Sequence, residues 1–534
     1  MTIGHPTAGS APVAGSNVKG RAAGAAWTYL LDDLAVRTAV CVGEPSAAAL
    51  VTLHRLAERV VVLGPTDVDD AVSRRDATSR QADPLEGTAD LVYVVKPSEG
   101  TCARACRAVA RHGRIYVETR AGSDEHQLHQ WLRRGGVQVH ERFWLTPSRG
   151  EARSAIPADD AAVRRFFVSH GVTVASLPRV LRRPERWFPI VASGRRMGLL
   201  AGPEPPSRRA GDIPAYLRRL AREEGHDLSG YRYGLSARGQ YNSRKVLFYL
   251  FPRGMTRPDL IVKTTRDPAF NDRLINEESV LRRVAAAELV PRGTAPRIAF
   301  SGEHGGLRIV AETVVEGRSL WAGARPADAA GAYDWLSMMA VRTARRGNEA
   351  ARQIETRLVD LLEGLDAGYR LELRERAALD RLVARLRDHL SRLPLVFAHG
   401  DAATWNSVAL EDGRIAFLDW EAARSDGIPL WDLWYFARSR HMTATRSRRR
   451  LRLTRPQVLS ALRADEELRR ATARYVSRLD LPREVVEPLF VLCWADRALR
   501  EITRLESGEL AGGHYIGLVR ELLREHDSRG EHVA

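Results

Sequence analysis

Lysine is nearly missing from this chain. Of 82 lysine and arginine residues only four, Lys19, Lys96, Lys245 and Lys263, are lysine. So strong a drift toward arginine makes each surviving lysine a candidate for a slot that a flat guanidinium fits poorly. Cysteine is scarce as well. Cys41, Cys102, Cys106 and Cys493 contain no CxxC pair, so neither a zinc site nor a disulfide framework is supported. Cys102 and Cys106 stand one helical turn apart and read as buried structural thiols. No apolar run approaches the ~18 residues needed to cross a bilayer, and the N-terminus has no charged stretch leading into an apolar one. A cytoplasmic location is expected. No glycine-lysine-serine or glycine-lysine-threonine run occurs, which excludes a Walker-type phosphate loop.

The most informative stretch that is present runs from His399 to Glu421. It reads HGDAATWN, then a strand-like run Ile415-Ala416-Phe417-Leu418, then Asp419-Trp420-Glu421. Three proton- or metal-handling side chains, Asp401, Asn406 and Asp419, thus fall within one hairpin's reach. That is the layout of a phosphotransferase catalytic loop: the first aspartate accepts the acceptor hydroxyl's proton, and the asparagine and second aspartate hold Mg²⁺ on the nucleotide phosphates. A short loop suits the task, because Asp401 must face the acceptor while Asn406 turns back toward the metal. The bland alternative is an Asx-rich turn between two strands.

On His399-Gly400-Asp401, Trp405-Asn406, Asp419-Trp420-Glu421 and Gly427-Ile428-Pro429-Leu430-Trp431-Asp432-Leu433, the region from about Tyr216 to the C-terminus resembles the aminoglycoside phosphotransferase and choline kinase superfamily. Those are small-molecule kinases with the α+β protein-kinase-like fold. The resemblance implies ATP and Mg²⁺ as cofactors, with Asp401, Asn406 and Asp419 catalytic and the latter two the metal ligands. Lys263, at the end of the apolar strand PDLIVK, would touch the α- and β-phosphates. Glu277, on the amphipathic segment RLINEESVLRRVAAAEL, would hold Lys263 extended, with Glu278 as the fallback. The stretch SARGQYNS would cover the phosphates with backbone N–H groups from Ser236 through Gly239 to Ser243, and adenine would be held near Ala311 to Val314. His399 is expected to brace the loop by hydrogen bonding, and Trp405 and Trp420 to be core residues.

Residues 1–26 are expected to be a disordered tail. Residues 27–171 alternate short apolar strands (TAVCVGE, RVVVLGP, ADLVYVV, RHGRIYVETR) with helix-like segments, which predicts a doubly wound parallel α/β sheet; QVHERFWLTPS and RRFFVSHG are expected to add late strands. The order resembles a Rossmann-type, class I S-adenosylmethionine-dependent methyltransferase domain. Gly43-Glu44-Pro45-Ser46-Ala47 is glycine-poor where such enzymes need backbone to approach the cofactor, and Leu63-Gly64-Pro65 lacks the ribose-binding acid. A non-catalytic domain follows. Residues 172–215 read as a connecting segment and linker, and 216–534 as the kinase-like domain.

Net charge is +16 and the pI about 10.2. Arg438 to Arg455 carries eight arginines and no acid. It reads as a solvated loop or as a contact for an anionic membrane surface or a phosphate-bearing acceptor. The whole describes a bacterial small-molecule kinase acting on a hydroxyl of a sugar, amino alcohol or glycan, in the cytoplasm or at the membrane's inner face. Nucleic acid is not expected as a partner. Two rivals stay open: a pseudokinase that binds or regulates, and an active methyltransferase with an accessory kinase-like domain.

Overall fold

A computed structural model describes residues 27–64, 85–146, 154–169, 196–204, 211–237, 245–447, 454–502 and 513–530. The expected tail 1–26, the centre of the phosphate-covering loop with Gly239 and Ser243, and residues 448–453 of the arginine run lie outside these. The chain divides into two compact units, Met1–Pro268 with Ala299–Ala311, and Ala269–Ile298 with Glu312–Ala534.

The first unit is built on one sheet. Its described strands are β1 (Val36–Val42), β2 (Ala57–Leu63), β3 (Ala89–Val94), β4 (Val109–Arg120), β5 (Gln138–Thr146), β6 (Ser154–Pro157), β7 (Arg196–Gly202), β8 (Tyr231–Ser236), β9 (Lys245–Pro252), β10 (Leu260–Thr265), β11 (Ile298–His304) and β12 (Leu307–Thr313). They run in the order β11-β12-β10-β9-β8-β6-β5-β7-β4-β3-β1-β2. The block β2-β1-β3-β4 is parallel, and its strands carry buried apolar runs such as Val40 to Val42, as parallel strands covered on both faces do. From β4 through β7, β5, β6, β8 and β9 to β10 each printed pairing is antiparallel.

Helices α1 (Ala47–Leu56) and α2 (Glu99–Ala108) follow β1 and β3. Their N-termini are capped by Ser46 and Ser98, whose hydroxyls accept the N–H of Ala49 and Thr101. Cys102 is buried on α2 and Cys106 half-buried, both as free thiols. Then come α3 (Ser123–Arg134), α4 (Ala161–Ser169) and α5 (Ala215–Glu223).

Two expectations are corrected here. RRFFVSHG does not add a strand. Asp160 Oδ1 accepts the N–H groups of Ala162 and Val163 at 3.0 Å and starts α4, which buries Val163 and Phe167 at helical spacing. Residues 172–215 are not only connector either: β7 runs antiparallel between β4 and β5, inside the sheet. Its Met197, Leu199, Leu200 and Ala201 are buried. Because the sheet continues from β6 into β8, position 216 falls within the first unit and not at its edge.

The second unit is mainly helical. After α6 (Asn271–Ala286) come the two-residue β13 (Arg318–Ser319), α7 (Pro326–Thr343), α8 (Asn348–Tyr369) and α9 (Leu373–Arg387). A group of short strands, β14 (Val396–Ala398), β15 (Ser407–Ala409), β16 (Ile415–Phe417) and β17 (Arg424–Gly427), precedes α10 (Trp431–Ser447), α11 (Arg455–Ala464), α12 (Glu466–Arg478), α13 (Val486–Ile502) and α14 (His514–Gly530). β13, β15 and β16 form one small sheet, and β14 pairs with β17. Apolar side chains from all these helices join one core around Trp335, Phe417, Trp420 and Trp494. α13 packs against α8, α10 and α14.

The arginine run is corrected as well. Arg438 lies on α10, 3% exposed, donating to Tyr515 Oη at 3.0 Å with its guanidinium 4.5 Å from that ring's centre. Arg440 pairs with Asp465, and Arg455 opens α11 and donates to the Gly513 carbonyl at 3.4 Å. Arg438, Arg440 and Arg455 thus bind the protein's own groups.

Candidate active site

The catalytic-loop residues sit where β14 ends and β15 begins, in a turn that only glycine permits. Gly400 has φ +79°, and a Cβ there would come within 2.0 Å of the Ala422 carbonyl oxygen. The loop's backbone is clamped by a carboxylate from the start of α10. Asp432 accepts the His399 N–H at 2.6 Å through Oδ2 and the Gly400 N–H at 3.1 Å through Oδ1.

His399 is fully buried. Its Nε2 lies 3.1 Å from the Leu418 carbonyl and its Nδ1 3.3 Å from the Asp401 N–H. The carbonyl can only accept and the N–H can only donate. This selects the neutral tautomer protonated on Nε2. Burial pushes the ring's pKa down, which agrees with that form. His399 therefore ties the loop to the end of the β16 hairpin as a brace, and Trp420 and Phe417 enclose it at ring distances of 4.7 and 5.5 Å.

Asp401 and Asn406 are in direct contact. Asn406 Nδ2 donates to Asp401 Oδ2 at 2.8 Å and to the Asp401 carbonyl at 3.1 Å, which leaves Asn406 Oδ1 as an oxygen donor for a cation. The Asp401 side chain keeps 23% of its surface exposed, so an acceptor can reach it. Leu418 N–H donates to the Asn406 carbonyl at 2.8 Å and draws the strand that carries Asp419 onto the loop. Asp419 itself is left-handed, φ +63°, a conformation that costs a non-glycine residue free energy and that recurs at functional turns.

That turn is held from α6. Glu277, fully buried beside Leu274 and Leu281, accepts the Trp420 N–H at 2.9 Å. Asn276 Nδ2 donates to the carbonyls of Glu421 and Ala423 at 3.0 Å each. Trp420 is core, as expected. Trp405 is not: it is 37% exposed and meets Trp321, 38% exposed, edge to face at 5.8 Å. Beneath it Tyr435 lies at 6.0 Å.

The remaining candidates lie in the first unit. Lys263 is on β10, 6% exposed, opposite Leu247 of β9, and Lys245 is equally buried opposite Thr265. Ser236 ends β8, 2% exposed, with register partners Ser154 and Leu247 on its two sides. It leads into the expected phosphate-covering stretch from within the sheet. Among the described residues no group of three or more His, Cys, Asp or Glu side chains is gathered as a metal site. No described helix is long and apolar enough to cross a membrane.

Sequence reasoning missed Asn276, the clamping role of Asp432, and two arginines of α13, Arg497 and Arg500. For Asp432 the available signal is an acid at a helix start, in Trp431-Asp432-Leu433. Nothing in the sequence marks the arginines among so many others.

Residues 241–470 match the phosphotransferase enzyme family (APH). No curated protein matches the chain. Among solved structures, choline kinase LicA from Streptococcus pneumoniae is similar at 13% identity, over 55% of this chain and 93% of that one, with a TM-score of 0.35. Aminoglycoside phosphotransferase APH(3'')-Id from Streptomyces rimosus is similar at 15% identity, over 55% of this chain and 99% of that one, with a TM-score of 0.31. A Plasmodium vivax ethanolamine kinase is similar at 12% identity, over 58% and 85%, with a TM-score of 0.33. The likeness to this family rests on the sequence match, and the catalytic-loop residues His399 to Glu421 lie inside the matched residues 241–470.

Proposed function

We propose that the C-terminal part of the chain is an ATP- and Mg²⁺-dependent kinase that transfers the γ-phosphoryl group to a hydroxyl of a small molecule, a sugar, amino alcohol or glycan. The observation that carries this reading is the Asp401 carboxylate, held by Asn406 on a loop clamped by Asp432 and His399, yet open to solvent. In this reading Asp401 accepts the acceptor's hydroxyl proton and aims its oxygen at the phosphorus. Lys263 contacts the α- and β-phosphates, and backbone from Ser236 onward covers them. Asn406 Oδ1 and the Asp419 carboxylate are hard oxygen donors of the kind magnesium takes. Two protein ligands are enough, since that ion fills its remaining positions with water and phosphate. When bound, the metal would neutralise charge on the β- and γ-phosphates.

The acceptor is the finer question. Trp405, four residues after Asp401 in the same loop, is exposed with Trp321 edge to face against it, and such a pair is suited to the apolar face of a sugar ring or to the cationic head of an amino alcohol.

For the N-terminal region the reading is a methyltransferase-like domain without catalysis. The parallel block β2-β1-β3-β4, with β7 inserted antiparallel next to β4, supports the likeness. The reading without catalysis rests on the first turn, where Pro45 and Ala47 stand in place of permissive glycines; Gly43, φ +104°, is required for packing, since a Cβ there would lie 2.8 Å from the Val95 carbonyl oxygen.

Thermal melting of the full chain tests both halves, because a ligand that binds the native state raises its midpoint. Mg-ATP should raise it and S-adenosylmethionine should not. No shift with Mg-ATP would sink the kinase reading, and a shift at micromolar S-adenosylmethionine would overturn the non-catalytic one. Turnover follows from Asp401→Asn, which should lower ADP release from Mg-ATP by at least ~10²-fold; near-normal release would remove Asp401 as the base.

A further inference from the structure

Helix α13 carries Arg497 and Arg500 one turn apart, and both reach the catalytic loop. Arg497 is buried, with its side chain 8% exposed. One guanidinium nitrogen lies 3.9 Å from Asp401 Oδ1 and another 3.9 Å from Asp432 Oδ1. The Tyr435 ring centre is 3.5 Å from its central carbon. Arg500 donates to the Gly400 carbonyl at 3.4 Å and is anchored by Asp496 at 2.7 Å. Asp496 is also 3.6 Å from Arg357 of α8.

We propose that Arg497 is a positioning residue for the catalytic base: it fixes the Asp401 carboxylate in its working orientation through an ion pair that also engages Asp432. The inference rests on the reading of Asp401 given above.

A guanidinium cannot shed its charge on burial, so Arg497 must be neutralised where it stands. The two carboxylates it faces have different freedom. Asp432 is locked by the His399 and Gly400 N–H groups and is 12% exposed, whereas Asp401 keeps 23%. Asp401 is the partner whose orientation remains to be set. Arg497 restrains it from the Oδ1 side and Asn406 from the Oδ2 side. A carboxylate held on both sides is aimed before the acceptor arrives, and such preorganisation lowers the barrier to proton transfer. The Tyr435 face keeps the guanidinium plane from tilting away. An ammonium is a point charge and would serve one carboxylate at a time.

The test uses the full-length protein and follows ADP release from Mg-ATP, with water as the acceptor. Arg497→Met should lower kcat at least ~10-fold while KM for ATP stays within about twofold, since the contact acts on the base and not on the nucleotide. Arg497→Lys should recover part of the loss, and guanidinium ion added to Arg497→Ala should recover part as well; a merely structural role predicts neither. Unchanged kcat in Arg497→Met, with Asp401→Asn impaired, overturns the inference and leaves the base assignment standing. Unchanged kcat in Asp401→Asn overturns the base assignment and the inference with it. Where the wild type releases too little ADP to measure, the melting midpoints of Arg497→Met, Asp401→Asn and the double variant decide. Non-additive shifts support the contact, and additive shifts overturn it.

Discussion

Replacing Asp432 by asparagine changes one atom and breaks the clamp on the catalytic loop. Its Oδ2 accepts the His399 N–H at 2.6 Å, and its Oδ1 accepts the Gly400 N–H at 3.1 Å and faces Arg497 at 3.9 Å. Every neighbour of the two oxygens is a donor. Whichever way the amide turns, its NH₂ meets another N–H, so no rotamer repairs the loss. A hydrogen bond to a charged group contributes about 1.5–3 kcal/mol, and a buried donor left without a partner costs a further ~1–3 kcal/mol. The side chain is only 12% exposed, so water offsets little of this. Taking ~3 kcal/mol for the local cost, the opening equilibrium of the loop rises by roughly 10². Opening of the loop is a local event that a melting midpoint does not isolate. Hydrogen exchange followed on peptides spanning residues 396–406 reads the loop directly. The His399 and Gly400 amides should exchange roughly 10² faster in Asp432→Asn, with distant helices such as α9 unaffected. Unchanged protection of that peptide would refute the clamp and the reasoning from donor count.

Gly400→Ala should fail to accumulate folded or lose the loop's order, since the added carbon would overlap the Ala422 carbonyl at 2.0 Å; a variant with wild-type melting and turnover would contradict this. Asp419→Ala should abolish the Mg²⁺-dependent part of ATP binding measured by calorimetry, and equal ATP affinity with a chelator present would sink the metal assignment. His514, pushed down to about 4 by burial and by the nearby charges of Arg438 and Arg455, binds fewer protons folded than unfolded below its ordinary value of 6.5. Its contribution to stability is therefore full above about pH 6.5 and is lost as pH falls toward 4. His514→Gln should flatten that limb of the melting-midpoint curve, and an unchanged slope would show that the group does not titrate in this way.

Local chemistry was legible in the residues themselves. The spacing of His399, Asp401, Asn406 and Asp419 gave the loop and hairpin, because a turn that presents two side chains in opposite directions needs few residues and leaves a short signature. The strands β1 to β4 are legible as short apolar runs, and α6 as an amphipathic segment. Short aromatic runs were less decisive. RRFFVSHG by itself resembles a strand because Asp160, the residue that starts the helix, lies outside the run. β7 was hidden among prolines and glycines, since strand pairing is a matter of neighbours and not of composition.

What only the tertiary structure decided is which distant groups meet. In a chain with so many arginines, no single one is marked as buried, yet Arg497 is set against Asp401 and Asp432, while Arg438 and Arg440 bind Tyr515 and Asp465. The exposure of Trp405 beside Trp321 was equally unreadable, because whether an indole faces core or solvent depends on the element packed over it. The sequence by itself determined the reacting groups and their local turn. The tertiary structure decided what holds them, because a charge can be buried only where partners from other helices converge to neutralise it.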